Sequence, residues 1–246
     1  MSKIATQRVT LQVADGTTMS AYTARPAEEG KAPGMLVFQE AFGVNAHIRD
    51  ITERVAREGY VAVAPELYHR TAPGFEGSYT DFQAVMPHMQ AMKEDSIVHD
   101  VRAAYDWLKA DPQVSSDRIA SIGFCMGGRV SFLTCSVVPL RAAISFYGGG
   151  IAPALLPRAA SLSGPMLLFW GGLDKHIPQE QIRSIVDELK RVGKTFINVD
   201  ISDADHGFFC DARASYNANA ATLAWGLVLQ FLNIHVKGSG QKAQGA

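Results

Sequence analysis

The first part of the chain alternates between apolar and polar residues. Val9, Leu11 and Val13 are spaced two apart, which places them on one face of a β-strand. Asp15-Gly16 is a turn signal, and residues 19–24 form a second strand-like run. This pattern predicts an antiparallel hairpin near the start of the chain.

From residue 34 onward the pattern changes to short apolar runs that alternate with stripes of helical period. The runs are suited to strands buried on both faces, and the stripes indicate amphipathic helices. The predicted strands are residues 34–38, 61–64, 118–123, 142–146, 166–170 and 195–201; the helical stripes begin at Ile48, Ile97, Val130, Ile182 and Tyr216. Such alternation predicts an α/β fold with a mostly parallel central sheet and helices on both of its faces.

Nothing in the composition divides the chain into two units, so we expect residues 1–236 to form a single domain. Residues 237–246 are rich in Gly, Gln and Lys, and we expect them to be a disordered tail. Residues 69–94 are the least periodic part of the chain. We expect them to form a mobile excursion near the functional site.

Composition excludes several classes of function. The chain has 246 residues, of which 47% are hydrophobic, and a net charge of −1, which gives no electrostatic basis for nucleic-acid binding. No run approaches the roughly 20 apolar residues needed to span a membrane. Three cysteines without metal-ligand spacing favour a reducing compartment. We therefore expect a cytoplasmic protein that uses no metal or other cofactor and has no obligatory protein partner.

The strongest chemical signal is the segment from Gly123 to Gly128, which reads Gly-Phe-Cys-Met-Gly-Gly. It has the spacing of the G-x-S-x-G nucleophile elbow, with Cys125 in place of serine. Glycines two residues before and after the cysteine allow a strand and a helix to meet in a tight turn. The start of that helix favours a thiolate, and the N–H of Met126 would be one oxyanion donor. The alternative is a buried structural cysteine.

A cysteine nucleophile needs a base, and the base needs a group that orients it. In this architecture the acid comes before the histidine, each after a strand. Asp174 and His206 fit those two positions. His176 lies close to the first, while Asp203 and Asp205 are poorly placed to reach back to the ring of their neighbour His206.

The remaining cysteines and histidines receive other interpretations. Cys135 lies ten residues along the elbow helix, about 15 Å from the nucleophile, so we interpret it as a packing residue. Cys210, four residues after His206, could be structural or could line the site. The other histidines are more typical of surface or capping positions: His47, His69, His88, His99 and His235.

With these residues placed, the sequence resembles the dienelactone hydrolase family of α/β hydrolases. The resemblance extends from about Val9 to Leu232 and rests on six blocks in order: residues 39–45 (QEAFGVN), 63–68 (VAPELY), 123–128, 145–148 (SFYG), 171–174 and 206–208. It implies the α/β-hydrolase fold and the triad Cys125, His206 and Asp174. It also implies metal-free hydrolysis of lactones and small esters.

The resemblance further implies that the N–H of Ala41 is the second oxyanion donor and that Glu40 acts beside the thiol. A carboxylate after a buried strand can accept the thiol proton, although Glu40 could instead cap a helix or pair with Arg49. Dienelactone-specific members are known for arginines that bind the substrate carboxylate. One is expected where this chain has Cys210, and none occurs between Arg70 and Arg102; Arg213 is available as a replacement.

The sequence thus predicts a hydrolase of small-molecule esters or lactones that forms a thioester on Cys125. The predicted apolar walls of the substrate pocket are Phe42, Phe124, Trp170 and Phe208, although each could equally be core. Two alternatives remain. One is hydrolysis of another activated bond, a phosphoester or a thioester, by the same cysteine. The other is a non-catalytic protein in which Cys125 senses oxidants.

Overall fold

Eight strands form one sheet in the computed structural model, which describes residues 3–28 and 30–238. The sheet order is β1-β2-β4-β3-β5-β6-β7-β8. In chain order the strands are β1 (Ile4–Gln12), β2 (Thr18–Pro26), β3 (Ala32–Phe38), β4 (Val61–Pro65), β5 (Val114–Phe124), β6 (Ala142–Phe146), β7 (Met166–Gly171) and β8 (Phe196–Ile201). Most of the predicted tail, residues 239–246, lies outside the described residues.

The predicted N-terminal hairpin is confirmed. β1 pairs antiparallel with β2, with Leu11 opposite Met19, and Gly16 turns the chain at a φ of +87° that favours glycine. β2 then pairs antiparallel with β4. The five pairings from β4 through β3 to β8 are all parallel. The α/β fold with a mostly parallel sheet is therefore confirmed.

The helices are α1 (Ala46–Arg57), α2 (Phe82–Ala91), α3 (Glu94–Ala110), α4 (Met126–Val137), α5 (Gln179–Arg191) and α6 (Ala218–Leu232). Every residue of β4, β6 and β7 is buried, which explains why these strands are apolar runs rather than alternating sequences. Asn45 caps α1 by accepting from the N–H of Ile48, and Gly59 follows its end at a φ of +90°.

Residues 69–94 differ from the irregular excursion that the sequence predicted. They contain α2 and the start of α3. α2 gives little helical signal because Pro87 lies inside it and Val85 is its buried residue. Val85 packs with Ala41 and Phe42 in a small apolar cluster, so this segment contacts the chain that follows β3.

Two smaller features complete the frame of the site. α6 begins two residues later than its apolar stripe suggested, because Asn217 caps it and Tyr216 lies before the helix. Among the described residues, no helix is both long enough and apolar enough to cross a membrane.

Candidate active site

Cys125 occupies the turn between β5 and α4. Its backbone has φ 54° and ψ −119°, a left-handed conformation that is strained for a residue with a side chain. The turn is held by the Cys125 N–H, which donates to the carbonyl of Phe146 at 3.0 Å. The cysteine stands at the N-terminus of α4, where the first N–H groups of the helix lack intrahelical acceptors.

The glycines around Cys125 are required by close backbone contacts. A Cβ at Gly123 would lie 1.9 Å from the carbonyl oxygen of Gly127. A Cβ at Gly127 would lie 2.4 Å from the carbonyl oxygen of Phe38, and one at Gly128 would lie 2.7 Å from that of Phe146. These neighbours are backbone atoms that cannot rotate away. The elbow therefore packs directly against the carboxyl ends of β3 and β6.

Three side chains from distant parts of the chain meet at this edge of the sheet. The Nε2 atom of His206 lies 3.1 Å from the sulfur of Cys125. The Nδ1 atom of the same ring lies 2.7 Å from Oδ2 of Asp174. The cysteine is partly exposed, whereas the histidine and the aspartate are largely buried. A thiol, an imidazole and a carboxylate are thus connected by hydrogen bonds in one line.

The neighbouring acids and histidine make different contacts. Asp205 accepts a hydrogen bond from the backbone N–H of His206 rather than from its ring. His176 donates its backbone N–H to Asp174 at 2.7 Å, and its ring centre lies 5.2 Å from that of His206. Asp203 accepts from Asn217 through its backbone carbonyl. Asp174 is therefore the carboxylate that contacts the imidazole.

The electrostatics of the line favour a charged imidazole. Burial alone lowers the pKa of His206, but hydrogen bonds to Asp174 and Cys125 outweigh burial and raise that pKa to about 10. Burial likewise raises the pKa of Asp174, but the hydrogen bond from His206 outweighs it, and the net result is a lowered pKa. At neutral pH the pair is therefore an imidazolium and a carboxylate.

Glu40 is fully buried beside this line. One carboxylate oxygen, Oε1, accepts from Nη1 of Arg213 at 3.1 Å. The guanidinium of Arg213 also lies over the rings of Phe42 and Tyr79, at 5.8 and 5.9 Å. Arg49, the alternative partner considered from the sequence, pairs with Glu76 instead.

The two segments predicted to donate to an oxyanion are joined by Tyr68. Its hydroxyl donates to the carbonyl of Ala41 at 2.9 Å and lies 3.5 Å from the sulfur of Met126. Ala41 itself is fully buried. Tyr68 was quoted from the sequence only as part of a family block. Its link between the loop after β3 and the start of α4 requires the fold.

The predicted aromatic walls lie mainly in the interior. Phe124, Trp170 and Phe208 are at most 1% exposed and belong to the main core. Phe124 stacks on Phe146 with ring centres 4.8 Å apart. Phe42 differs, because it packs with α2 and contacts Arg213. Burial accounts for the first three residues without a role in binding.

The two other cysteines are both buried. Cys135 lies within hydrogen-bond distance of Ser163 and Gly164, and burial raises the pKa of its thiol. This environment agrees with a packing residue. The sulfur of Cys210 lies 3.2 Å from the hydroxyl of Tyr79, beside the Glu40 and Arg213 pair. Cys210 therefore lies in the polar interior next to the site.

Two histidines differ from the surface positions expected for them. His69 is buried and contacts the buried carboxylate of Asp100 at 3.1 Å. His47 is buried between the rings of Phe124 and Phe209. A further missed residue is Tyr147, which is fully buried with its ring centre 5.0 Å from that of His206. Single histidines and tyrosines carry no periodic signal that could have placed them.

Comparison with known proteins gives one family. A model of the Dienelactone hydrolase family matches residues 19–236. A protein of Synechocystis named "Putative carboxymethylenebutenolidase" is 39% identical over 89% of this chain and 93% of its own length. A protein of the same name from Methylorubrum extorquens is 36% identical over 88% of this chain and 77% of its own length.

A solved structure agrees with these relatives. The crystal structure of a "Putative Dienelactone Hydrolase" from Klebsiella pneumoniae superposes with a TM-score of 0.86. It is 32% identical in sequence and covers 94% of this chain and 99% of its own. The agreement therefore extends over nearly the whole of the sheet and its helices.

Proposed function

This chain belongs to the dienelactone hydrolase family of α/β hydrolases, and on that premise we propose that it hydrolyses small esters or lactones through a thioester on Cys125. Membership makes the protein a carboxylic ester hydrolase with a small-molecule substrate. The observation that carries the finer proposal is the continuous line from the Cys125 sulfur through His206 to Asp174. This line supplies a nucleophile, a base and an orienting carboxylate.

The first step is acylation of the cysteine. The thiolate of Cys125 attacks the carbonyl carbon, so that a sulfur–carbon bond forms and the carbonyl becomes an oxyanion. As the oxyanion collapses, the carbon–oxygen bond to the leaving group breaks. The leaving alkoxide takes the proton from Nε2 of His206, whose raised pKa keeps that proton available at neutral pH.

The second step is hydrolysis of the thioester. His206 is now neutral and accepts a proton from a water molecule as that water attacks the thioester carbon. The carbon–sulfur bond then breaks and the thiolate is released together with the carboxylic acid. Asp174 holds the ring in the orientation that faces the sulfur, and it stabilises the imidazolium that forms again.

The oxyanion would be held by the N–H groups of Met126 and Ala41. The hydroxyl of Tyr68 supports this role, because it contacts both segments and fixes their separation. Glu40 would assist the thiol as a buried carboxylate beside the elbow, with Arg213 holding it in place. These assignments follow the family resemblance together with the contacts around each residue.

The proposed substrates are activated esters and lactones without a carboxylate group. A thiolate is a good leaving group, so the tetrahedral intermediate favours product only when the departing oxygen is stabilised. Cys210 carries no charge where the resemblance implies an arginine, and Arg213 already pairs with Glu40. A substrate carboxylate would therefore lack a bidentate cationic partner.

The test is hydrolysis of p-nitrophenyl acetate by matched cysteine variants. We expect Cys125→Ala to lower kcat/KM by about 10⁴-fold or more, while Cys135→Ala, a buried cysteine in α4 away from the line, retains activity. Intact-mass analysis after rapid quenching should show an acyl adduct that maps to Cys125. Full activity of Cys125→Ala, or an adduct on another cysteine, would overturn the proposal.

A further inference from the structure

A second group of potential ligands lies in the interior next to the elbow. Glu40 follows β3, His47 lies in the first turn of α1, and Cys210 follows β8. One ligand atom from each of these side chains lies within 4.8 Å of the other two. All three residues are buried, with exposed fractions of 0%, 6% and 0%. The three lie on separate segments that only the fold brings together.

The polar atoms of this group are under-used within the part of the chain that the structure describes. Oε2 of Glu40 has no hydrogen-bond partner there, and neither does Nδ1 or Nε2 of His47. Buried polar atoms are nearly always partnered, so each exception indicates a ligand, an ion or a water molecule that occupies the site. Three unpartnered atoms in one cluster indicate a common partner.

We propose that Glu40, His47 and Cys210 bind a zinc ion. Thiolate sulfur, imidazole nitrogen and carboxylate oxygen are the three ligand types that zinc takes in proteins. Magnesium and calcium are excluded as preferred occupants because they take oxygen ligands. Three protein ligands leave a fourth tetrahedral position for water. The site requires none of the residues of the proposed triad.

The geometry of the cluster is close to that of a zinc site. Bonds of about 2.0–2.3 Å in a tetrahedron place ligand atoms about 3.3–3.8 Å apart. From separations of up to 4.8 Å, the three atoms therefore need to approach one another by about 1 Å. Side-chain rotation of Glu40 and Cys210 provides this movement. His47 is held more firmly, because its ring lies edge-on to Phe124 and Phe209.

Neighbouring groups are placed to support the ligands. Arg213 donates to Oε1 of Glu40, which fixes the carboxylate and leaves Oε2 for the ion. The hydroxyl of Tyr79 lies 3.2 Å from the sulfur of Cys210, and it already accepts from Nδ2 of Asn45 at 2.9 Å. Its own hydrogen can therefore point at a metal-bound thiolate. Such outer contacts orient the ligands of protein metal sites.

Charge and protons balance on binding. The Cys210 thiol loses its proton to solvent water as the zinc–sulfur bond forms. The thiolate and the carboxylate then neutralise the two positive charges of zinc, and His47 binds as the neutral ring. No oxidant or reductant takes part.

The main competitor for zinc is the line of Cys125, His206 and Asp174, which offers the same three ligand types. The test must therefore separate two sulfur sites. We would titrate the metal-free protein with cobalt(II), a spectroscopic substitute for zinc that absorbs strongly when bound by thiolate. Dialysis against zinc followed by elemental analysis would give the number of ions per chain.

The deciding variants are built on Cys125→Ser, which removes the competing sulfur. In this background we expect one ion per chain and a thiolate-to-cobalt absorption band. Adding either Cys210→Ser or His47→Gln should weaken binding at least about tenfold, and Cys210→Ser should also abolish the band. Cys135→Ser is the matched control and should change neither the affinity nor the band.

Two results would overturn the proposal. One is an absence of bound metal in the Cys125→Ser protein, and the other is binding that survives both His47→Gln and Cys210→Ser. Circular dichroism of the metal-free proteins checks that each variant is folded. His47→Gln keeps all three cysteines, so it decides the question if Cys210→Ser does not fold.

Discussion

Nε2 of His206 lies 3.1 Å from the sulfur of Cys125, although 81 residues separate them in the sequence. The two residues follow β8 and β5, whose carboxyl ends lie at the same edge of the parallel sheet. Asp174 follows β7 at that edge and holds the other ring nitrogen. The parallel sheet is thus what converts three separate loops into one proton-transfer line.

The orienting role proposed for Asp174 predicts a graded set of activities. We expect His206→Ala to lower kcat/KM of ester hydrolysis by about 10⁴-fold and Asp174→Asn by a smaller but still large factor. The matched control is Asp205→Asn, because Asp205 contacts only the backbone N–H of His206. Equal losses in Asp174→Asn and Asp205→Asn would contradict the assignment of the acid.

The same ion pair predicts how stability depends on pH. The pKa of His206 is raised to about 10, so its contribution is complete below about pH 6.5 and is lost as pH rises through 10. The pKa of Asp174 is lowered, so its contribution is present above about pH 3.9 and is lost as pH falls further. The pair therefore stabilises the fold most between about pH 4 and pH 6.5.

Urea unfolding at several pH values would measure this effect. Near pH 6 we expect the free energy of unfolding of Asp174→Asn to be about 1.5–3 kcal/mol below that of the wild type. The difference should shrink as pH approaches 10. Asp205→Asn again serves as the control, and a difference that stays constant with pH would exclude the proposed ionisation of the pair.

The contact between the elbow and β3 predicts a cost for a single methyl group. Gly127→Ala would place a Cβ 2.4 Å from the carbonyl oxygen of Phe38. We expect a loss of about 1–3 kcal/mol in stability, together with reduced kcat, because the loop that carries Ala41 is pushed away from Cys125. Thermal unfolding and ester hydrolysis measure the two effects.

Gly226 in α6 provides the matched control for that substitution. A Cβ there would meet no atom within 4 Å, so Gly226→Ala should stabilise the protein by about 0.5–1 kcal/mol, as alanine does in a helix. Activity should be unchanged. If Gly127→Ala were equally harmless, the tight packing of the elbow would not be required.

The buried pair of Glu40 and Arg213 predicts a strong coupling. Arg213→Ala leaves a fully buried carboxylate without its cationic partner, which should cost about 3–5 kcal/mol. Adding Glu40→Gln to that variant removes the uncompensated charge and should recover more than half of the loss. Arg191→Ala, which breaks an exposed pair with Glu188, should cost less than about 0.5 kcal/mol.

A double-mutant cycle by urea unfolding measures this coupling directly. Additive losses in the Glu40 and Arg213 variants would show that the two charges do not depend on each other. In that case the proposed support of Glu40 by Arg213 would fail, whatever the effect of either variant on activity.

Local signals in the sequence were sufficient for most of the fold. Short apolar runs marked β4, β6 and β7 because both faces of these strands are buried. Helical stripes marked α1, α3, α4, α5 and α6 for the corresponding reason on one face. α2 was missed because it buries only Val85 and contains Pro87, so its residues show no stripe.

The site divides in the same way between chain-local and long-range information. The sequence by itself determined the elbow, because the glycines beside Cys125 are needed by contacts within one turn and its adjacent strands. It also indicated Asp174 and His206, because their order along the chain follows the order of the strands.

Only the tertiary structure decided the partners of side chains that lie far apart. Glu40 pairs with Arg213, 173 residues away, rather than with nearby Arg49, and His47 faces Glu40 and Cys210 in the interior. The physical reason is that residue patterns record whether a position is buried. Which buried group meets which depends on the packing of elements that are distant in the chain.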